Sequence, residues 1–111
     1  MSRLASLFIL LVAAILEAGG DAIIRSGIHN ANSVKRLLLF ILGGCVLFAY
    51  GCVVNAPPWD FGKLLGIYVV LFFVVAQAIA YFAFGQRPST TILLGGTLIV
   101  AGGLVIAFAQ K

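Results

Sequence analysis

Three ionisable residues interrupt an apolar run near the amino end of the chain. They are Glu17, Asp21 and Arg25, within LEAGGDAIIR, at an even spacing of four residues. On a helix this spacing stacks the three side chains along one face. Carboxyls stacked in this way can hold a proton, hold a cation, or exchange one for the other. They can also simply pair with the arginine. Which chemistry is open to them depends on the medium around the helix.

That medium is lipid. Of 111 residues, 63% are hydrophobic and 9% charged, and the mean hydropathy is +1.21. A soluble domain carries about 25% charged residues. The composition is that of an integral membrane protein whose solvent is the bilayer. Spans of about 20 residues each use up nearly the whole length in four crossings. The expectation is a single all-α transmembrane domain over residues 1–111 with no extramembrane domain. The first apolar run is too long for a signal-peptide core, contains an acid and lacks a clear cleavage site, so it reads as a mature helix.

The punctuation divides the chain into four spans. The first runs from Leu4 to Ile24, closed by Arg25 and followed by the turn-rich SGIHNANSVKR. The second runs from Leu37 to Asn55, ended by Pro57 and Pro58. The third runs from Phe61 or Leu64 to Phe84, the fourth from Thr90 to Ala109. A β-barrel is excluded, because period-two alternation is absent and too few strands could form. Short loops make neighbouring helices antiparallel and put both termini on one side. Basic residues are then nearly balanced: Arg3, Lys63 and Lys111 on the termini side, Arg25, Lys35, Arg36 and Arg87 on the other. Lys and Arg bias sets orientation, so either a chain this even inserts both ways, or the adjacent Lys35 and Arg36 suffice to hold one orientation. Two copies of opposite orientation would mimic the inverted repeats of transporters.

Glu17 lies about 20 Å along the first helix at 1.5 Å per residue, past the midplane but still within hydrocarbon. An acid there costs about 2.5–3.5 kcal/mol on insertion scales, so it is expected to face a bundle interior or an aqueous cavity. A carboxyl kept from water favours its protonated form, and such a group can trade a proton for a cation. Asp21 and Arg25 follow one and two turns further on. Either Arg25 folds back onto Asp21 while Glu17 hydrogen-bonds to a hydroxyl or stays protonated, a structural polar ladder, or the acids form a working site. Gly19 and Gly20 leave room for a partner helix or ligand beside Glu17.

Other residues fill out the bundle. Gln77, the polar residue deep in span three, is expected to seek an interhelical hydrogen bond. Tyr68, Tyr50 and Trp59 are candidate walls for a cation, since aromatic faces attract positive charge. Trp59 and Tyr81 also suit the aromatic belt at the membrane interface. In span four Gly95 pairs with Gly102 and Gly96 with Gly103, seven residues apart, which marks a helix-packing groove. Cys45 and Cys52 are too far apart on one helix for a disulfide with each other and read as small residues on a packed face. His29 reads as a solvated loop residue.

Several classes are excluded. No Ser–His–Asp set, phosphate loop or metal-ligand spacing is present, so no enzyme, cofactor or metal is expected. The net charge of +4 is flank charge without interleaved aromatics, so nucleic acid is not an expected partner.

These residues together resemble the small multidrug resistance transporters of the drug/metabolite transporter superfamily. The resemblance lies in chain size, the four-span layout, Glu17 followed by Arg25, and FGQR at Phe84–Arg87. Gly95, Leu98, Ile99 and Gly102 fall where that family carries its dimer motif. Tyr68 takes the place of a substrate-contacting tryptophan. Some positions diverge: Asp60 stands for a proline, Leu65 for a site tyrosine, and Asp21 for an uncharged residue. Lys63, near the start of span three, is also unusual.

The resemblance implies an antiparallel, dual-topology homodimer in the bacterial inner membrane. It would export small organic cations (quaternary ammonium, guanidinium-like or polyamine-type) in exchange for protons at Glu17 shared by both copies. Two acids per copy favour the more highly charged of these. The alternatives are a non-transporting accessory or assembly subunit, and a lipid or small-solute carrier of the same superfamily.

Overall fold

A computed structural model describes residues 2–108. It contains four helices: α1 (Arg3–Ile28), α2 (Ser33–Val54), α3 (Phe61–Phe84) and α4 (Thr90–Ala107). All four are long and apolar enough to cross a membrane. The expected end of span four at Ala109, and Lys111, lie outside the described residues.

Local chemistry sets most of the helix ends. The Ser2 hydroxyl accepts from the Ala5 N–H at 3.1 Å, and the Ser89 hydroxyl from the Ile92 N–H at 3.2 Å. Asn32 Oδ1 accepts from the N–H groups of Val34 and Lys35, both at 3.0 Å. Each satisfies donors that a helix start leaves unpaired. The α3 end turns on Gly85 at φ 65°, a left-handed conformation that suits glycine.

The first connector is shorter than its composition suggests. Helix α1 continues past Arg25 to Ile28, and α2 begins at Ser33 rather than Leu37, leaving His29–Asn32 as the link. Packing outweighs propensity here. Gly27 lies against Phe40 and Leu39 of α2. The Ser26 hydroxyl donates back to the Ala22 carbonyl at 2.9 Å instead of opening a turn.

In space the helices stand in the order α2, α1, α3, α4, with the backbones of neighbours in that row in close contact and side chains such as Tyr50 of α2 reaching across to α3. The molecule measures 51 × 34 × 18 Å. A single helix with its side chains is about 10–12 Å thick, so the bundle is an open layer little more than one helix deep. Helix α1 is central, and Leu10, Ala13 and Ala14 on it are fully buried. They form the core with Val54, Leu64, Ile67 and Tyr68.

Close approach is achieved through small residues. Gly20 meets Leu47, and Gly43 meets Ile24 and the Gly20 carbonyl. Gly66, Gly96 and Gly103 lie under Ile106, Phe73 and Val70 across the α3–α4 contact. The cysteines depart from expectation. Both are free and exposed on α2, because only one side of that helix meets α1.

Candidate functional site

The α1–α3 boundary gathers the charged stripe of α1 against an aromatic and small-residue stripe of α3. Tyr68 is only 4% exposed, and its hydroxyl donates to Glu17 Oε1 at 2.7 Å. Towards an ionised carboxylate this is a charge-assisted bond. The Tyr68 ring is flanked by Tyr50 at 5.9 Å and Phe72 at 6.0 Å, both tilted by about a third of a right angle. Tyr50 thus packs on the ring that holds this carboxylate. Three helices therefore converge on Glu17, with α1 carrying it, α2 supplying Tyr50 and α3 supplying Tyr68.

Next to this cluster, towards the carboxyl end of α1, lies a cavity of about 290 Å³. Ala18, Asp21 and Arg25 line it from α1, Phe72 and Phe84 from α3, and Gln86 from the turn beyond. Phe72 packs on Tyr68 and also lines the cavity, so the Glu17–Tyr68 pair stands beside the cavity, behind Phe72, and neither of the two residues lines it. Asp21 stands one turn, about 6 Å, nearer the mouth. In a layer this thin, a groove between two helices opens on a broad face.

Arg25 does not fold back onto Asp21. Its guanidinium lies over the Phe84 ring at 5.4 Å, and no ion pair forms among the described residues. A cation seated on an aromatic face is held by the ring quadrupole. Asp21 is thus left without a protein counter-charge, exposed to the cavity that it lines.

Other expected residues fall elsewhere. Gln77 is nine residues beyond Tyr68, about two and a half turns, and so occupies the opposite side of α3. It shares that side with Gly66, Val70 and Phe73, which meet α4, and it makes no hydrogen bond among the described residues. The rotation of α3 thus sets Gln77 away from the Glu17–Tyr68 pair within one copy. Gly19 borders open space, whereas Gly20 is taken up by α2.

Trp59 lies near Lys63 at 6.0 Å and Tyr81 near Arg87 at 5.9 Å, at opposite ends of α3. Both suit the interface. The loop residue His29 is exposed, and no group of three metal-ligating side chains occurs among the described residues.

On α4 the two glycine pairs separate. Gly96 and Gly103 are buried against α3. Gly95 and Gly102 border open space, with Leu98 between them 70% exposed and Ile99 half-buried. The Gly95–Leu98–Gly102 strip is not used within one copy.

The sequence reading did not single out Phe72, Phe84 or Gln86 as cavity lining. A signal was present: Ala18 and Ala22 on α1, and Ala76 and Ala80 on α3, are small residues at four-residue spacing. Facing alanines leave a gap that the aromatic residues flanking them then bound.

No family model matches the chain, and no solved structure matches it. Curated relatives do. A UPF0060 membrane protein of Nocardia farcinica is 33% identical over 113 residues, covering 100% of this chain and 98% of that one. One from Saccharopolyspora erythraea is 31% identical, covering 97% and 96%. One from Clostridium perfringens is 27% identical, covering 100% and 99%. Identity above three in ten along essentially the full length, on a chain of four membrane-spanning helices, makes this protein a member of the UPF0060 membrane protein family.

Proposed function

We propose that the protein is one half of an antiparallel pair of identical chains that exports small organic cations in exchange for protons, like the small multidrug resistance transporters it resembles. The observation that carries this reading is the Glu17–Tyr68 bond at 2.7 Å, one helical turn from Asp21, which lines the neighbouring cavity. A carboxylate oxygen held by one phenol keeps capacity for a proton or an ammonium group. When either arrives, the phenol loses part of its acceptor and the site can rearrange. Proton and cation compete for the same atoms, which is the requirement for exchange.

The open layer supports pairing. Asp21 lines a groove, and Glu17 stands one turn away, on a structure about one helix deep, and acids facing lipid are expensive. A second copy laid over the same face would cover both acids and close a shared chamber between two Glu17 side chains. The near-even distribution of basic residues permits that copy to be inverted. Aromatic rings of Tyr50, Tyr68 and Phe72 would then wall a cationic substrate. The chain would act in the inner membrane of a bacterium, as a carrier and not as an enzyme.

The test is uptake of a radiolabelled quaternary amine into proteoliposomes with an imposed pH gradient. Flux should follow the gradient and vanish in Glu17→Gln. Equal flux in that variant would sink the exchange mechanism. A second reading, an assembly subunit without transport, draws on the unused Gly95–Leu98–Gly102 strip. It requires that Glu17→Gln be silent while bulky residues on the strip abolish complex formation.

A further inference from the structure

The opposite end of the layer carries a second cavity, about 250 Å³ in volume. It is lined by Arg3 and Leu7 of α1, Trp59 of the α2–α3 turn, Lys63 and Ile67 of α3, and Phe108 at the end of α4. Two cations converge on it from different helices. Neither is in an ion pair among the described residues, and Asp60, the acid at this end, does not line the cavity. The lower wall is apolar, made by Leu7, Ile67 and Phe108.

Position adds to chemistry. Helices α1 and α3 both begin here, so the mouth lies at the water boundary of the membrane. Tryptophan favours this level, and lipid phosphates lie at it. Lys63 Nζ stands 6.0 Å from the Trp59 ring, which keeps the ammonium on the cavity side of the turn.

A ligand complementary to this site has an anionic head for the two cations and an apolar tail for the wall below. We propose that the cavity holds the headgroup phosphate of an anionic phospholipid. The guanidinium of Arg3 offers paired donors to phosphate oxygens, Lys63 a point charge, and the Trp59 indole N–H a further donor. One acyl chain runs along Leu7, Ile67 and Phe108. Basic pockets between membrane helices take such headgroups. A soluble phosphate would gain nothing from the apolar wall. The site is separate from the Glu17 cavity and does not depend on the exchange reading.

The experiment compares purified protein, in a neutral detergent, with phosphatidylglycerol, phosphatidylcholine or inorganic phosphate. Native mass spectrometry reads retained lipid, and thermal unfolding reads protection. Phosphatidylglycerol should be retained and should raise the unfolding midpoint, and phosphatidylcholine should do neither. Arg3→Gln/Lys63→Gln should weaken phosphatidylglycerol retention by about tenfold or more, since each basic residue contributes severalfold. Lys35→Gln/Arg87→Gln, an equal change of charge at the other end, should not. If the double variant fails to fold, Lys63→Gln alone should show a severalfold loss.

Equal retention of the two lipids would overturn the proposal. So would indifference to the Arg3 and Lys63 changes. Protection by inorganic phosphate equal to that by the lipid would show a small-anion site and overturn it as well.

Discussion

The Tyr68 hydroxyl and the Glu17 carboxylate, 51 residues apart in sequence, meet across the α1–α3 boundary at 2.7 Å. The bond joins a buried ring to the deepest acid of the first span. It fixes which carboxylate oxygen is occupied by protein and which remains open. Predictions about the site begin from that asymmetry.

Tyr68→Phe removes the donor and keeps the ring. Hydrogen bonds to charged groups contribute about 1.5–3 kcal/mol, and partial exposure of Glu17 reduces this towards about 1 kcal/mol. A double-mutant cycle of Tyr68→Phe with Glu17→Gln, read by thermal unfolding in detergent, should give a coupling of that size. Additive effects would show that the pair is not formed in the membrane-extracted protein.

Asp21 has no cation paired with it, because Arg25 rests on Phe84. Asp21→Asn should therefore leave transport of singly charged amines within about twofold while lowering that of doubly charged ones by roughly five- to thirtyfold, as expected for loss of a charge worth about 1–2 kcal/mol at intermediate dielectric. Flux ratios for a mono- and a diamine in one liposome preparation measure it. A uniform fall for both substrates would assign Asp21 a structural role.

The two glycine pairs of α4 should separate in mutagenesis. Gly96→Leu and Gly103→Leu place side chains onto Phe73 and Val70 and should destabilise the single chain by about 1–3 kcal/mol through overpacking. A Cβ placed at Gly95 or Gly102 meets nothing within 4 Å in one copy, so Gly95→Leu and Gly102→Leu point into open space there. They should leave the unfolding midpoint of detergent-isolated monomer unchanged while reducing cross-linked dimer in membranes. A midpoint shift for the outer pair equal to that for the inner pair would remove the case for an α4 contact between copies.

Orientation can be read directly. With Cys45 and Cys52 changed to Ala, a single cysteine at Asn30 should react with a membrane-impermeant maleimide from both sides, in comparable amounts. Adding two lysines to the His29–Asn32 connector should shift labelling to one side. Labelling from one side in the unmodified chain would exclude inverted pairing.

The sequence by itself determined the solvent, the number of spans and the stacking of the acids along one face of the first. Those follow from composition, span length and a constant turn per residue, each of which is local. It also marked both prolines that separate α2 from α3, whereas Asn32, which reads as a connector residue, is the cap of α2 only in the folded chain. The tertiary structure decided what faces what. Gln77 and Tyr68 belong to one helix and are equally plausible site residues until its rotation is known. Packing of Gly66, Val70 and Phe73 against α4 turns Gln77 away and Tyr68 towards Glu17. The same contacts bury Gly96 and Gly103 and leave Gly95 and Gly102 bare. Periodicity shows that a helix has faces. Which neighbour covers each face is settled only by how closely small residues let the other helices approach.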